Sequence, residues 1–178
     1  MHFVAHVVNE GTVPVEIRNI KYEMRSATGA IVEVGDIPQA YPNKIAPGAS
    51  AVIGRTVRAD AAVANADVAS VDIRFETIRT SSIDNLLDVS NISFRGSSPG
   101  GQPVITGDVQ NNGRNVYDNI QTAVVLIDST SRWIGYVTAS LPVRSLKPGD
   151  KAQFVTNADL PPSVNTRTVS FRGFSFDK

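Results

Sequence analysis

The chain has 178 residues, 17 Lys plus Arg against 17 Asp plus Glu, and no Cys. An even balance leaves no surplus of cations to displace counterions from a polynucleotide, so nucleic acid is not an expected partner, and without Cys there are no disulfides, thiol nucleophiles or thiolate metal sites. No apolar run approaches the roughly 20 residues of a membrane helix, so no membrane insertion is expected, and Met1-His2-Phe3-Val4 has neither the charged start nor the apolar stretch of a signal peptide.

Along the chain the apolar pattern is mainly alternating, the signature of half-buried strands. A first strand from Val4 to Val8 ends at Asn9-Glu10-Gly11. A long strand follows with Ile20, Tyr22 and Met24 at period two, and the step from Ile17 to Ile20 breaks the alternation by one residue, which predicts a bulge at Arg18-Asn19. Turns follow at Ala27-Thr28-Gly29 and Pro47-Gly48, and Ala59 to Ala69 is expected to form a short helical turn before the strand Ser70-Val71-Asp72-Ile73-Arg74. Thr80-Ser81-Ser82 is the polar break. Beyond it come the strand Leu86 to Phe94, a hairpin loop Gly96-Ser97-Ser98-Pro99-Gly100-Gly101, and a strand Val104 to Val109 ending at Asn111-Asn112-Gly113. Next are a strand with Ile120, Val124 and Leu126, the turn Pro148-Gly149, and a crossing at Ala158 to Ser163, where Pro161 and Pro162 forbid a continuing helix.

Several of these segments occur twice. His6-Val7-Val8-Asn9-Glu10-Gly11 with Ile45-Ala46-Pro47-Gly48 returns about a hundred residues later as Asp108-Val109-Gln110-Asn111-Asn112-Gly113 with Leu146-Lys147-Pro148-Gly149. Ser70 to Arg74 returns as Thr168-Val169-Ser170-Phe171-Arg172. A period this long suits a self-contained sandwich rather than a solenoid unit. The expected fold is all-β, two tandem immunoglobulin-like antiparallel β-sandwich domains at 1–80 and 81–178. Copy two has a strand before Val104 that copy one lacks before Val4, so domain one is expected to lack its first strand, an open edge to be filled by upstream residues, the favoured reading, by a neighbouring chain in strand-mediated self-association, or by a rearranged local strand.

The turn and core residues of copy two, Gly107 to Gly113, Val125-Leu126-Ile127-Asp128, Leu146-Lys147-Pro148-Gly149 and Phe154, resemble the FxLYD-type and CARDB-like bacterial domains. Copy one is similar, with Tyr22-Glu23-Met24 in place of the aliphatic run and Ile45 in place of Leu. The resemblance implies an immunoglobulin-like sandwich on an exported prokaryotic protein, with no catalytic residues to carry over.

Candidate chemistry is sparse. His2 and His6 are the only histidines, so copy two has no imidazole base for its serines, and no third ligand stands near them for a metal. Asp84-Asn85, Asp88 and Asp128-Ser129-Thr130 carry oxygen ligands but lack the spacing of a calcium loop and are expected to be turn formers. The possible ligand surface comprises Trp133, Tyr136 and Tyr41, with Tyr117 as a further aromatic candidate. Period two puts Trp133 and Tyr136 on opposite faces, with Trp133 the inter-sheet anchor, and Tyr41-Pro42-Asn43-Lys44 is expected to be an exposed loop tip. Arg74, Arg95 and Arg172 are expected on the solvent side. No catalytic, metal or cofactor-binding residue is expected. The expected role is a non-enzymatic, extracytoplasmic module (cell surface, periplasmic or secreted) whose partner is a protein or cell-surface component. The alternatives are a carbohydrate- or peptide-binding module, or the accessory domains of a larger enzyme.

Overall fold

A computed structural model describes residues 2–57, 68–97, 103–157 and 169–177. All their regular structure is strand, arranged in several sheets that fit a β-sandwich. No helix among the described residues is long and apolar enough to cross a membrane. The chain divides into two compact units, Met1–Ile83 and Asp84–Lys178, so the boundary falls just past Thr80-Ser81-Ser82.

The first unit contains β1 (His2–Val8), β2 (Val15–Ser26), β3 (Ile31–Ile37), β4 (Lys44–Ile45), β5 (Ser50–Thr56) and β6 (Val68–Arg79). β1 pairs antiparallel with β5, while β2 is flanked by β3 and β6 and meets β4 at Val15 and Glu16. β2 turns Ile17, Ile20, Tyr22 and Met24 inward against Ile37, Ile45 and Ile53. Each such side chain contributes about 1.5–3 kcal/mol by leaving water. The predicted bulge is present: the β2–β6 register slips between Arg18 and Lys21, and Asn19 takes a left-handed φ of 50°.

The second unit contains β7 (Asn85–Ser97), β8 (Pro103–Gln110), β9 (Tyr117–Asp118), β10 (Ile120–Ile127), β11 (Trp133–Ala139), β12 (Ser145–Leu146), β13 (Lys151–Asn157) and β14 (Ser170–Asp177). Six of them form the path β11-β10-β14-β7-β8-β13. β7 joins both ends of it: Leu86 and Leu87 pair with β14, and the stretch from Asp88 to Ser97 pairs with β8. Phe94 of β7 then meets Phe171 of β14 edge to face at 5.0 Å, and Leu126, Phe154 and Ile105 fill the interior.

The repeat is one hydrogen-bonded device used twice. Asn9 donates through Nδ2 to the carbonyls of Val13 (2.9 Å) and Ile45 (3.1 Å), and its Oδ1 accepts from Gly11 N. Asn111 does the same with Asn115, Leu146 and Gly113. In both units the backbone carbonyl of the Asn accepts from the Gly of Pro-Gly, Gly48 or Gly149. These two glycines have φ of 73° and 84°, a region that a Cβ penalises. Buried backbone groups must find partners, and a short amide supplies two donors and an acceptor.

The expected helical turn falls on residues outside the described set except for Val68 and Ala69, which belong to β6. The crossing at Ala158 to Ser163 also lies outside it, as do Ser98 to Gly101 of the expected hairpin loop.

Candidate interaction edge and aromatic face

β1 and β8 occupy the same place in their units, yet their neighbours differ. β8 lies between β13 and β7, whereas among the described residues β1 pairs with β5 alone. Asn9 N donates to Ala49 O, so by antiparallel alternation the odd-numbered backbone groups of β1 face β5 and those of Val4, His6 and Val8 face outward. β1 carries no Asp, Glu, Lys or Arg to discourage pairing.

Burial follows the same difference. Val109 of β8 is 0% exposed, while its counterpart Val7 is only partly covered and Val8 is 44% exposed. On β14, Phe176 is 0% exposed beside β7, whereas β6 leaves Phe75 37% and Ile78 41% exposed. The positions that β7 covers in the second unit are therefore apolar and partly uncovered in the first.

In the second unit Val124 lies between Gly173 and Val137. A Cβ on Gly173 would come within 2.3 Å of Val89 Cγ1, so this glycine exists to admit β7. In the first unit Tyr22 lies between Ile73 and Gly35. Here the ring of Tyr22 takes the space over Gly35, whose Cβ would come within 2.7 Å of it, and Ile73 packs against the core. Tyr22 also donates its hydroxyl to Glu33 at 2.5 Å and packs on Phe3 at 5.2 Å. Its phenol is pushed up by burial and then by the Glu33 carboxylate.

The predicted aromatic residues divide. Contrary to expectation, Trp133 and Tyr136 share a face and Trp133 is not an inter-sheet anchor. A register shift between Leu126 and Ile127 sets Trp133 opposite Ile127 and Tyr136 opposite Val125, and the extra residue, Ile134, packs on the core. Trp133 packs edge-on against Phe174 at 6.0 Å, and the exposed Arg172 guanidinium lies 5.1 Å from the Phe174 ring centroid. Trp133 and Tyr136 are both half-buried on this face, where Ala123, Val125 and Phe174 are buried. Tyr117 is corrected from surface to core, buried with Leu146 and Val109. Tyr41 is not an exposed loop tip: its backbone exchanges two hydrogen bonds with Val52, Pro42 is buried, and burial raises the Tyr41 phenol pKa.

Arg74, Arg95 and Arg172 are exposed, as alternation requires. Asp128 closes the β10–β11 turn: its Oδ1 accepts from Thr130 N, Thr130 Oγ1 and Arg132 N at 2.7–2.9 Å, and its Oδ2 pairs with Arg132. These donors hold its carboxyl far below the usual carboxylate range, the Thr130 hydroxyl first among them. Asp88 accepts from Asn112. His6 is exposed on β1, and among the described residues no three His, Cys, Asp or Glu gather as a metal site.

Comparison with protein families, with curated proteins and with solved structures finds no match.

Proposed function

We propose that this chain is a non-enzymatic interaction module of an exported or surface-associated prokaryotic protein, made of two immunoglobulin-like β-sandwiches and engaging another polypeptide through the edge of its first unit. One observation carries this reading: among the described residues β1 has a single sheet neighbour where β8 has two. A strand edge beside uncovered apolar side chains is the physical basis of strand addition, in which main-chain bonds give affinity and alternate side chains give specificity. Selection from a displayed library of random 12-residue peptides tests it. The full chain enriches peptides with alternating apolar residues, and Val4→Pro, which removes an outward N–H without touching a β5 bond, abolishes the enrichment while leaving the melting midpoint within a degree or two. Enrichment that survives Val4→Pro, or none at all, overturns the reading.

A second reading rests on the shared face of Trp133 and Tyr136. Two half-buried aromatic side chains beside Phe174 and the Arg172 guanidinium form a stacking surface for a sugar ring or an extended peptide. Glycan-array binding that disappears with Trp133→Ala supports it, and an array signal unchanged by that substitution removes it.

A further inference from the structure

Of the Asn residues in this chain, Asn112 alone is followed by Gly. Asn-Gly is the pair at which a main-chain nitrogen closes most readily on the preceding side-chain amide, because no Cβ obstructs the approach. The fold requires this pair to keep its glycine. A Cβ at Gly113 would come within 2.6 Å of the Tyr117 hydroxyl and 3.1 Å of Asn111 Oδ1, so a larger residue does not fit there. Asn112 and Gly113 are both exposed, so water reaches them. Two hydrogen bonds hold the reacting groups. Gly113 N donates to Asn111 Oδ1 at 2.8 Å, which engages the nitrogen that would attack. Asn112 Nδ2 donates to Asp88 Oδ2, which fixes the amide that would be attacked. In the first unit the same turn carries Glu10 before Gly11, whose N donates to Asn9 Oδ1 at 3.1 Å, so it has no side-chain amide at this place.

We propose that Asn112 is a site of spontaneous modification, converted to aspartate and isoaspartate through a succinimide, at a rate set by the hydrogen bonds to Asp88 and Asn111. Gly113 N gives its proton to solvent and bonds to Asn112 Cγ. The Cγ–Nδ2 bond breaks, and the nitrogen leaves as ammonia after taking a proton from water. A water molecule then opens the ring, at Cγ to give aspartate or at the main-chain carbonyl to give isoaspartate. Both products disturb the turn. Aspartate sets a second carboxylate against Asp88 where a donor stood. Isoaspartate adds one carbon to the main chain between Asn111 and Gly113 and draws Gly113 N away from Asn111 Oδ1. The second unit therefore ages chemically at this turn, and the first unit does not.

The full chain and a synthetic peptide of residues 108–117 are incubated in the same mildly alkaline buffer. Fragment mass spectrometry locates the mass gained as amide becomes acid, and electron-transfer fragmentation separates isoaspartate from aspartate. Conversion is expected at Asn112 ahead of every other Asn, and roughly tenfold more slowly in the folded chain than in the peptide, because the fold holds both reacting groups out of position. Asp88→Ala, a change at an exposed residue, speeds it severalfold, whereas Asp88→Asn, which keeps an oxygen acceptor for the amide, leaves it slow. The fluorescence melt of Trp133 moves to lower temperature as Asn112 is converted. Asn112→Asp lowers it at once, and Asp88→Asn in the same chain restores it. Equal rates in chain and peptide, earlier reaction at another Asn, or a rate indifferent to Asp88→Ala overturn the proposal. So does a melt that stays in place once Asn112 has been converted.

Discussion

Asn111 donates its side-chain amide to the carbonyl of Leu146 at 2.8 Å, across 35 positions of sequence, and Asn9 repeats the contact with Ile45 in the first unit. In each case one amide fastens the end of a strand to the Pro-Gly turn that launches another. The relationship is long-range and wholly buried, so water cannot substitute for it.

Removing that amide strands buried groups. Asn111→Ala leaves the Leu146 and Asn115 carbonyls and Gly113 N without this partner, and the expected loss is about 2–4 kcal/mol in the second unit. Asn9→Ala does the same to the first unit. Trp133 is the only Trp in the chain and lies in the second unit, so its fluorescence melt shifts with Asn111→Ala and stays in place with Asn9→Ala. A shift in that melt with Asn9→Ala shows that the units do not unfold independently.

Gly173→Ala is expected to destabilise the second unit by about 1–3 kcal/mol through overpacking against Val89. Val89→Ala in the same chain recovers much of the loss, giving a coupling energy above about 1 kcal/mol in a double-mutant cycle. Additive losses show that the two side chains do not share that space.

Acid separates two carboxylates of the second unit. Asp128 has a depressed pKa when folded, so its contribution is complete above the unfolded pKa and is lost as pH falls through the folded one. Asp177 has the opposite sign: burial, with the charges of Asp118 and Asp84, raises its pKa. Its ionisation therefore weakens the fold as pH rises from the unfolded pKa through the raised one. At pH 7 denaturant melts are expected to show Asp128→Ala less stable than the parent and Asp177→Asn more stable. Near pH 3 both differences shrink.

Arg172→Ala tests the aromatic face of the second unit. Removing a guanidinium that covers the Phe174 ring is expected to cost about 0.5–1 kcal/mol and to shift the emission of Trp133, which packs on the same ring. An unchanged emission spectrum shows that the three side chains do not act as one surface.

The parts of this fold that were legible are those fixed by local chemistry. Asn9-Glu10-Gly11 and Pro47-Gly48 announced their turns because few residues satisfy such backbone groups, and their recurrence at Asn111 and Pro148 divided the chain near the observed boundary. The bulge at Asn19 showed as a slip from Ile17 to Ile20. The parts that depend on cross-strand register were not legible. Trp133 changed face because the extra residue sits in the β10–β11 pairing, which period two along one strand does not reveal. Tyr41 was misplaced because its bridge to Val52 is a tertiary contact. The role of Gly173 shows only once Val89 is seen above it.

The pair Asn-Ile recurs at two strand bulges, Asn19-Ile20 and Asn91-Ile92, and at the junction of β9 and β10, Asn119-Ile120, with φ of 50°, 53° and 51° at the Asn. At two of them the Asn amide reaches a carboxylate on the adjoining strand, Glu76 or Asp108. A left-handed backbone admits Asn, Asp and Gly readily and β-branched residues at a cost of about 1–2 kcal/mol each. Among natural variants of this chain the alphabet allowed at 19, 91 and 119 should therefore contract to those three residues, even though the side chains of Asn19 and Asn91 face solvent. Conservation of these exposed positions would then record a constraint of backbone conformation rather than contact with a ligand.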